Sequence, residues 1–118
     1  MMNYNIRTIK YKNNKVDYVP DFNDDSLEVL VIFLVSEVIC FPKDIKEGLN
    51  NALTKRNMPI DFAGNICTLS IEDGIASLDY QLDEMMLDEP LKLPVEELNE
   101  LVLKWISDVK ELKAKETK

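Results

Sequence analysis

The sequence predicts an α+β domain in which two β-hairpins, possible partners in one antiparallel sheet, pack against about three helices in the order ββααββα. Three observations carry this. Residues 5–19 and 65–82 each alternate apolar and polar positions about a turn signal, the pattern of a strand pair. Leu98, Leu101, Val102, Trp105, Ile106, Val109 and Leu112 recur at spacings of three and four, the period of an amphipathic helix. Between these segments, residues 29–35 are seven consecutive apolar side chains that the rest of the chain must cover.

In residues 5–19, Asn13 and Asn14 suit a two-residue turn because asparagine tolerates positive φ. That register sets Tyr11 opposite Val16 and Ile9 opposite Tyr18 on one face, with Lys10 opposite Asp17 on the other. Arg7, Lys10, Lys12 and Lys15 then read as a solvated face, since no matching basic surface occurs elsewhere. Asp21, Asn23 and Asp25 begin like a calcium loop, but Ser26 stands where the turn needs Gly and Ile32 where the bidentate Glu belongs. A polar turn into a helix is the better account.

Residues 26–40 are too long for the usual strand of roughly 5–6 residues and suit a helix of roughly 11–12. Asp25 and Glu28 have capping-box spacing. Six β-branched residues argue for a buried strand instead. As a helix, Leu27, Leu30, Val31, Leu34, Val35 and Val38 make one stripe, and Val29, Ile32 and Phe33 spill onto the other side. Residues 43–56 read as a second helix, with Ile45, Leu49 and Leu53 as its apolar stripe and Lys55, Arg56 and Asn57 closing it before Pro59.

The clearest local signal is Asp73-Gly74, which fits a type I′ turn. It pairs Ile71 with Ala76, Leu69 with Leu78 and Cys67 with Tyr80 on an apolar face. Thr68, Ser70, Glu72, Ser77, Asp79 and Gln81 fall on the polar face. Residues 83–93 form an acidic connector in which Met85, Met86 and Leu87 either tuck against the sheet edge, the reading preferred on the residues alone, or lie partly exposed as an adaptable contact. Pro94 opens the last helix, which runs to about Lys113 and carries Trp105 as a core anchor and Glu100–Lys104 as a surface pair. The tail 113–118 is expected to fray.

At 118 residues, with 46% hydrophobic and 31% charged, the chain suits one ordered domain. No apolar run approaches the roughly 20 residues that span a bilayer, and the first residues lack the apolar stretch of a secretory signal, so a cytoplasmic protein is expected. Cys40 and Cys67 lack metal-ligand spacing and are expected as buried, reduced thiols. There is no histidine, which removes the commonest general base and nitrogen ligand. No phosphate-binding glycine motif and no nucleophile-elbow motif occurs. Asp79 with Asp83 or Glu84, near the hairpin's exit, is the candidate carboxylate pair for hydrolysis or magnesium, and it sits among like charges with no apolar pocket. No catalytic residue, cofactor or metal site is therefore expected.

The net charge of −8 is concentrated. Residues 72–100 hold ten acids against Lys92 alone, and the remainder of the chain sums to +1. Such a surface repels nucleic acid and anionic membranes and attracts a basic protein. The expected contact set is Asp79, Asp83, Glu84, Asp88 and Glu89, with Tyr80, Met85 and Met86 as apolar anchors.

Ala63-Gly64-Asn65 running into the hairpin, the acidic connector and a final Trp-bearing helix resembles a pattern in small acidic immunity proteins of bacterial polymorphic and contact-dependent toxin systems. The resemblance covers residues 63–109. It implies a cytoplasmic, non-enzymatic protein that neutralises a cognate toxin, frequently a nuclease. A small acidic secretion-type chaperone is the alternative, acting as a homodimer through residues 26–40.

Overall fold

The computed structural model describes residues 3–55 and 59–116. The fold is α+β, with its strands in two separate antiparallel sheets. Strands β1 (Asn5–Lys10) and β2 (Val16–Asp21) pair only with each other. The second sheet is a meander of β3 (Ile60–Ala63), β4 (Cys67–Glu72), β5 (Ile75–Tyr80) and β6 (Leu91–Pro94). The two hairpins thus do not join in one sheet, and β3 and β6 are strands that the pattern did not mark.

The first hairpin differs from expectation by one residue. Ile9 stands opposite Asp17, Thr8 opposite Tyr18 and Lys10 opposite Val16, so neither the Ile9–Tyr18 nor the Lys10–Asp17 pair forms. The cause is the turn. Asn14 N–H donates to the Tyr11 carbonyl at 3.1 Å, Tyr11 N–H donates to the Lys15 carbonyl at 2.9 Å, and Asn14 takes φ 65°. This is a three-residue loop closed by a left-handed residue, and a slip of one residue exchanges the faces of a strand. In the second hairpin, Asp73 and Gly74 both have positive φ, and Cys67–Tyr80, Leu69–Leu78 and Ile71–Ala76 are the observed pairs.

A 3-10 turn (Asp25–Leu27) leads into α1 (Glu28–Ile32), which continues as a π-helical segment (Phe33–Val38). The cap lies one residue earlier than expected: Asp24, not Asp25, accepts from Ser26 N–H at 3.0 Å and from its hydroxyl at 2.7 Å. Those bonds hold the Asp24 carboxyl below its usual range. The buried stripe is Val29, Leu30, Phe33, Leu34, Glu37 and Val38, leaving Val31 and Val35 half-buried. It is rotated from the expected stripe, taking in Val29 and Phe33.

Helix α2 (Pro42–Thr54) buries Ile45, Leu49 and Ala52. Its expected closing residues Arg56 and Asn57 lie outside the described residues. Helix α3 (Val95–Glu116) begins after Pro94, which ends β6, and stays helical past the point where fraying was expected. Trp105 is 1% exposed, and its indole N–H donates to the Leu34 carbonyl at 3.0 Å, joining α3 to the π-helical segment. Lys104 sets its Nζ 4.1 Å from the Tyr4 ring centre, and Tyr4 donates to Asp108 at 2.5 Å. α1 packs on β2 and β5, and α3 on β5, β6, α2 and the π-helical segment. The central helix is therefore covered on several sides.

Glu37 has no solvent exposure, although in the sequence it looks like a polar break in the apolar run. Its Oε1 accepts from Asn65 N–H at 2.8 Å, and its Oε2 accepts from Ile66 N–H at 3.0 Å and Cys67 N–H at 2.5 Å. Gly64 permits this approach, because a Cβ there would stand 2.4 Å from the carboxylate. Glu37→Ala should lower unfolding free energy by roughly 3 kcal/mol or more, since three donors lose one acceptor. Gly64→Ala should cost roughly 1–3 kcal/mol by overpacking. Urea unfolding of both variants measures this, and near-wild-type midpoints would contradict it.

Candidate functional site

The connector from β5 to β6 carries most of the expected contact residues. Its start is tied to the loop before β4: Gln81 N–H donates to the Ile66 carbonyl at 2.8 Å, and the Gln81 side-chain amide donates to the Gly64 carbonyl. A 3-10 turn (Asp83–Met85) follows, with Met85 N–H donating to the Leu82 carbonyl at 2.9 Å. Leu87 N–H then donates to Asp79 Oδ1 at 2.9 Å, which closes the connector back onto the end of β5. Leu91 and Leu93 enter β6 opposite Leu78 and Ala76.

This path sorts the expected contact residues. Glu84, Asp88 and Glu89 are exposed, as are Met85 at 48% and Met86 at 53%. The two methionines thus do not tuck against the sheet, while Leu87 does pack on the core. Leu82 and Ile66 add exposed apolar surface beside them. Asp79 and Tyr80 are different. Asp79 is 7% exposed and accepts from the N–H groups of Tyr80 and Leu87 through one oxygen. Tyr80 is 8% exposed on the core face. Neither presents itself to a partner: Asp79 shapes the connector and Tyr80 fills the core. The side chain of Asp83 lies outside the described residues.

Burial first, then the charges of Glu28, Cys67 and Asp79, raises the Tyr80 hydroxyl above its usual range. Cys67 is fully buried, and desolvation, followed by the charges of Glu37 and Asp79, pushes its thiol from 9.0 up to about 12. Cys40 is exposed, contrary to the expectation of two buried thiols. Its position beside Phe41, where the core helix ends, brings it to the surface.

Among the described residues, no three His, Cys, Asp or Glu side chains converge as a metal site. Nor is any helix long and apolar enough to cross a membrane. The connector offers an exposed stretch in which apolar Met85 and Met86 and the acids Glu84, Asp88 and Glu89 follow one another along the chain. Comparison with protein-family models, curated proteins and solved structures finds no match to this chain.

The buried Asp79 was hidden by the alternation, which puts it on the polar face with Thr68 and Ser77. The apolar run 85–87 just beyond the strand was the one signal that the connector folds back. Asp79→Ala should release the connector, and native-state hydrogen exchange should show the Leu87 amide losing protection by about tenfold or more. Unchanged protection would mean that something else holds the turn.

The two thiols should also separate chemically. In the folded protein a thiol reagent at pH 8 should modify Cys40 and spare Cys67 until unfolding. Because the unfolded thiol ionises near 9.0 and the folded one near 12, the native state holds the extra proton between those values. Stability should therefore fall as pH rises through that window, and Cys67→Ala should fall less steeply.

Proposed function

We propose that this chain is a non-enzymatic, protein-binding protein of the cytoplasm that neutralises a basic partner through its β5–β6 connector. The observation that carries the reading is that Glu84, Met85, Met86, Asp88 and Glu89 are all exposed within one short connector, which hydrogen bonds tie back to the sheet at Gln81 and Leu87. Carboxylates at the rim speed the encounter with a cationic surface, and apolar side chains among them supply contact area. The pattern that residues 63–109 share with immunity proteins supports a toxin as that partner. A nuclease, whose groove holds phosphates, presents the matching charge.

The chaperone alternative has less support. It calls on the apolar residues of the central helix for a dimer, whereas Leu30, Phe33, Leu34 and Val38 are fully buried within one chain.

The test pairs this chain with the product of the adjacent reading frame. Expressed alone, that product should arrest growth, and co-expression of this chain should restore it. Charge reversal at Glu84, Asp88 and Glu89 should slow association by about tenfold or more at low salt and flatten its salt dependence. Met85→Ala with Met86→Ala should weaken binding by about 1–2 kcal/mol, mainly through faster dissociation. Full protection by the charge-reversed chain would overturn the assignment, and a stable dimer of the 13.6 kDa chain would favour the chaperone.

A further inference from the structure

We propose that the distal half of the β1–β2 hairpin is a flap, which lifts off the helices as a unit about an aromatic pivot at its base and closes again over Val35, Ile39 and Val109. Among the described residues the hairpin pairs with no other strand, and a two-stranded ribbon by itself is marginally stable in water. Its order therefore depends on how it is held to the body. Of the residues in β1 and β2 only Pro20 is buried, whereas β4 buries three of its residues and β5 four.

The hold is uneven along the hairpin. At the base, the Tyr4 ring meets Phe22 and Trp105 edge-on, each with 5.6 Å between ring centres. The Tyr4 hydroxyl donates to Asp108 at 2.5 Å, and the Lys104 ammonium lies over the ring. The distal half stands off instead. A cleft of about 310 Å³ lies between Ile9, Tyr11 and Tyr18 of the hairpin and Val35, Ile39 and Val109 of the helices. Packed interiors leave few voids larger than a water molecule, so the two walls face each other without being packed together. Across the cleft the Tyr18 hydroxyl donates to Glu116 at the end of α3, in an exposed bond. Water replaces the partners of such a bond readily, and its net contribution is small.

Lifting the flap disrupts little. It breaks the Tyr18–Glu116 bond and wets surfaces that are half-buried, while the β1–β2 ladder and the Tyr11–Asp17 bond, both internal to the hairpin, move with it. Local openings of this kind lie well below global unfolding in free energy. When the flap is down it keeps the apolar strip of Val35, Ile39 and Val109 from open contact, and when it is up that strip is presented. The device lies apart from the β5–β6 connector, so its test bears on this inference alone.

Val109, 7% exposed on the helix wall of the cleft, is the place for a reporter thiol. In the full chain carrying Cys40→Ser and Val109→Cys, a thiol reagent should label the introduced thiol about tenfold or more slower than a free thiol. It should label it about tenfold or more faster than buried Cys67, which reacts on unfolding. Tyr18→Phe keeps the ring and removes the donor, and should speed labelling of the introduced thiol about fivefold. Tyr11→Phe should leave that rate unchanged, because the bond it removes travels with the flap. Labelling no faster than that of Cys67, labelling as fast as a free thiol, a rate that Tyr18→Phe does not raise, or equal acceleration by both tyrosine variants would each overturn the proposal. If Val109→Cys does not fold, nitroxides on Asn13→Cys and Lys110→Cys, both exposed, take its place in the Cys40→Ser chain. Tyr18→Phe should then move their distance distribution toward longer separations, and an unchanged distribution would overturn the flap.

Discussion

A carboxylate wholly removed from water is costly unless its lone pairs are met, and Glu37 is the residue on which this architecture turns. It sits just past the seven-residue apolar run and gathers three successive N–H groups, those of Asn65, Ile66 and Cys67, where the chain enters β4. One side chain thereby fixes the helix to the sheet in both height and rotation. A slide of the helix by one residue would leave a buried charge without donors and three donors without an acceptor. Apolar packing alone would tolerate such a slide better, because the helix is apolar on more than one side. Among the described residues no buried side-chain polar atom lacks a hydrogen-bond partner, so the cost of this burial is met locally.

Where neighbouring residues agreed, the fold was legible. Asp73-Gly74 allows one tight turn, and the alternation on both sides fixes the same register, so the pairs of β4 and β5 followed from the sequence. The 3/4 spacing of α3 was equally plain, and with it the role of Trp105. Ambiguity entered where two solutions fit the same residues. Asn13-Asn14 suits a two-residue turn as well as a loop in which Asn14 alone is left-handed, and the difference moved the whole first hairpin by one residue. Strands β3 and β6 are four residues each, too short for a period to show, and β6 ends on a proline that reads as a helix start.

The expected contact residues divide for a related reason. Alternation assigns a face, yet it cannot say what another segment will lay over that face. Asp79 obeys its parity and points away from the core of the hairpin, and it becomes buried because the connector returns across it. Glu37 shows the converse: a polar residue inside an apolar run reads as an interruption, and only the three-dimensional arrangement reveals donors around it. Gly64 was the available hint, since a glycine in the turn ahead of the hairpin admits a close neighbour.

These buried carboxylates change how the negative charge of residues 72–100 should be weighed. Asp79 belongs to that total but lies beneath the surface, where its charge serves two backbone donors. At physiological ionic strength fields fall off over roughly 8 Å, so the acids that add usefully toward a partner are exposed ones close together. Glu84, Asp88 and Glu89 meet the exposure condition within six residues of one another. The connector that bears them is held to Ile66 and Gly64 through Gln81 and to Asp79 through Leu87, with Glu84 between these ties and Asp88 and Glu89 directly after the second. Binding would then order mainly the methionine side chains and little backbone, which lowers the entropy opposed to association. Under the proposed function, Asp79 therefore contributes by giving the exposed acids and methionines a fixed frame, without touching the partner itself.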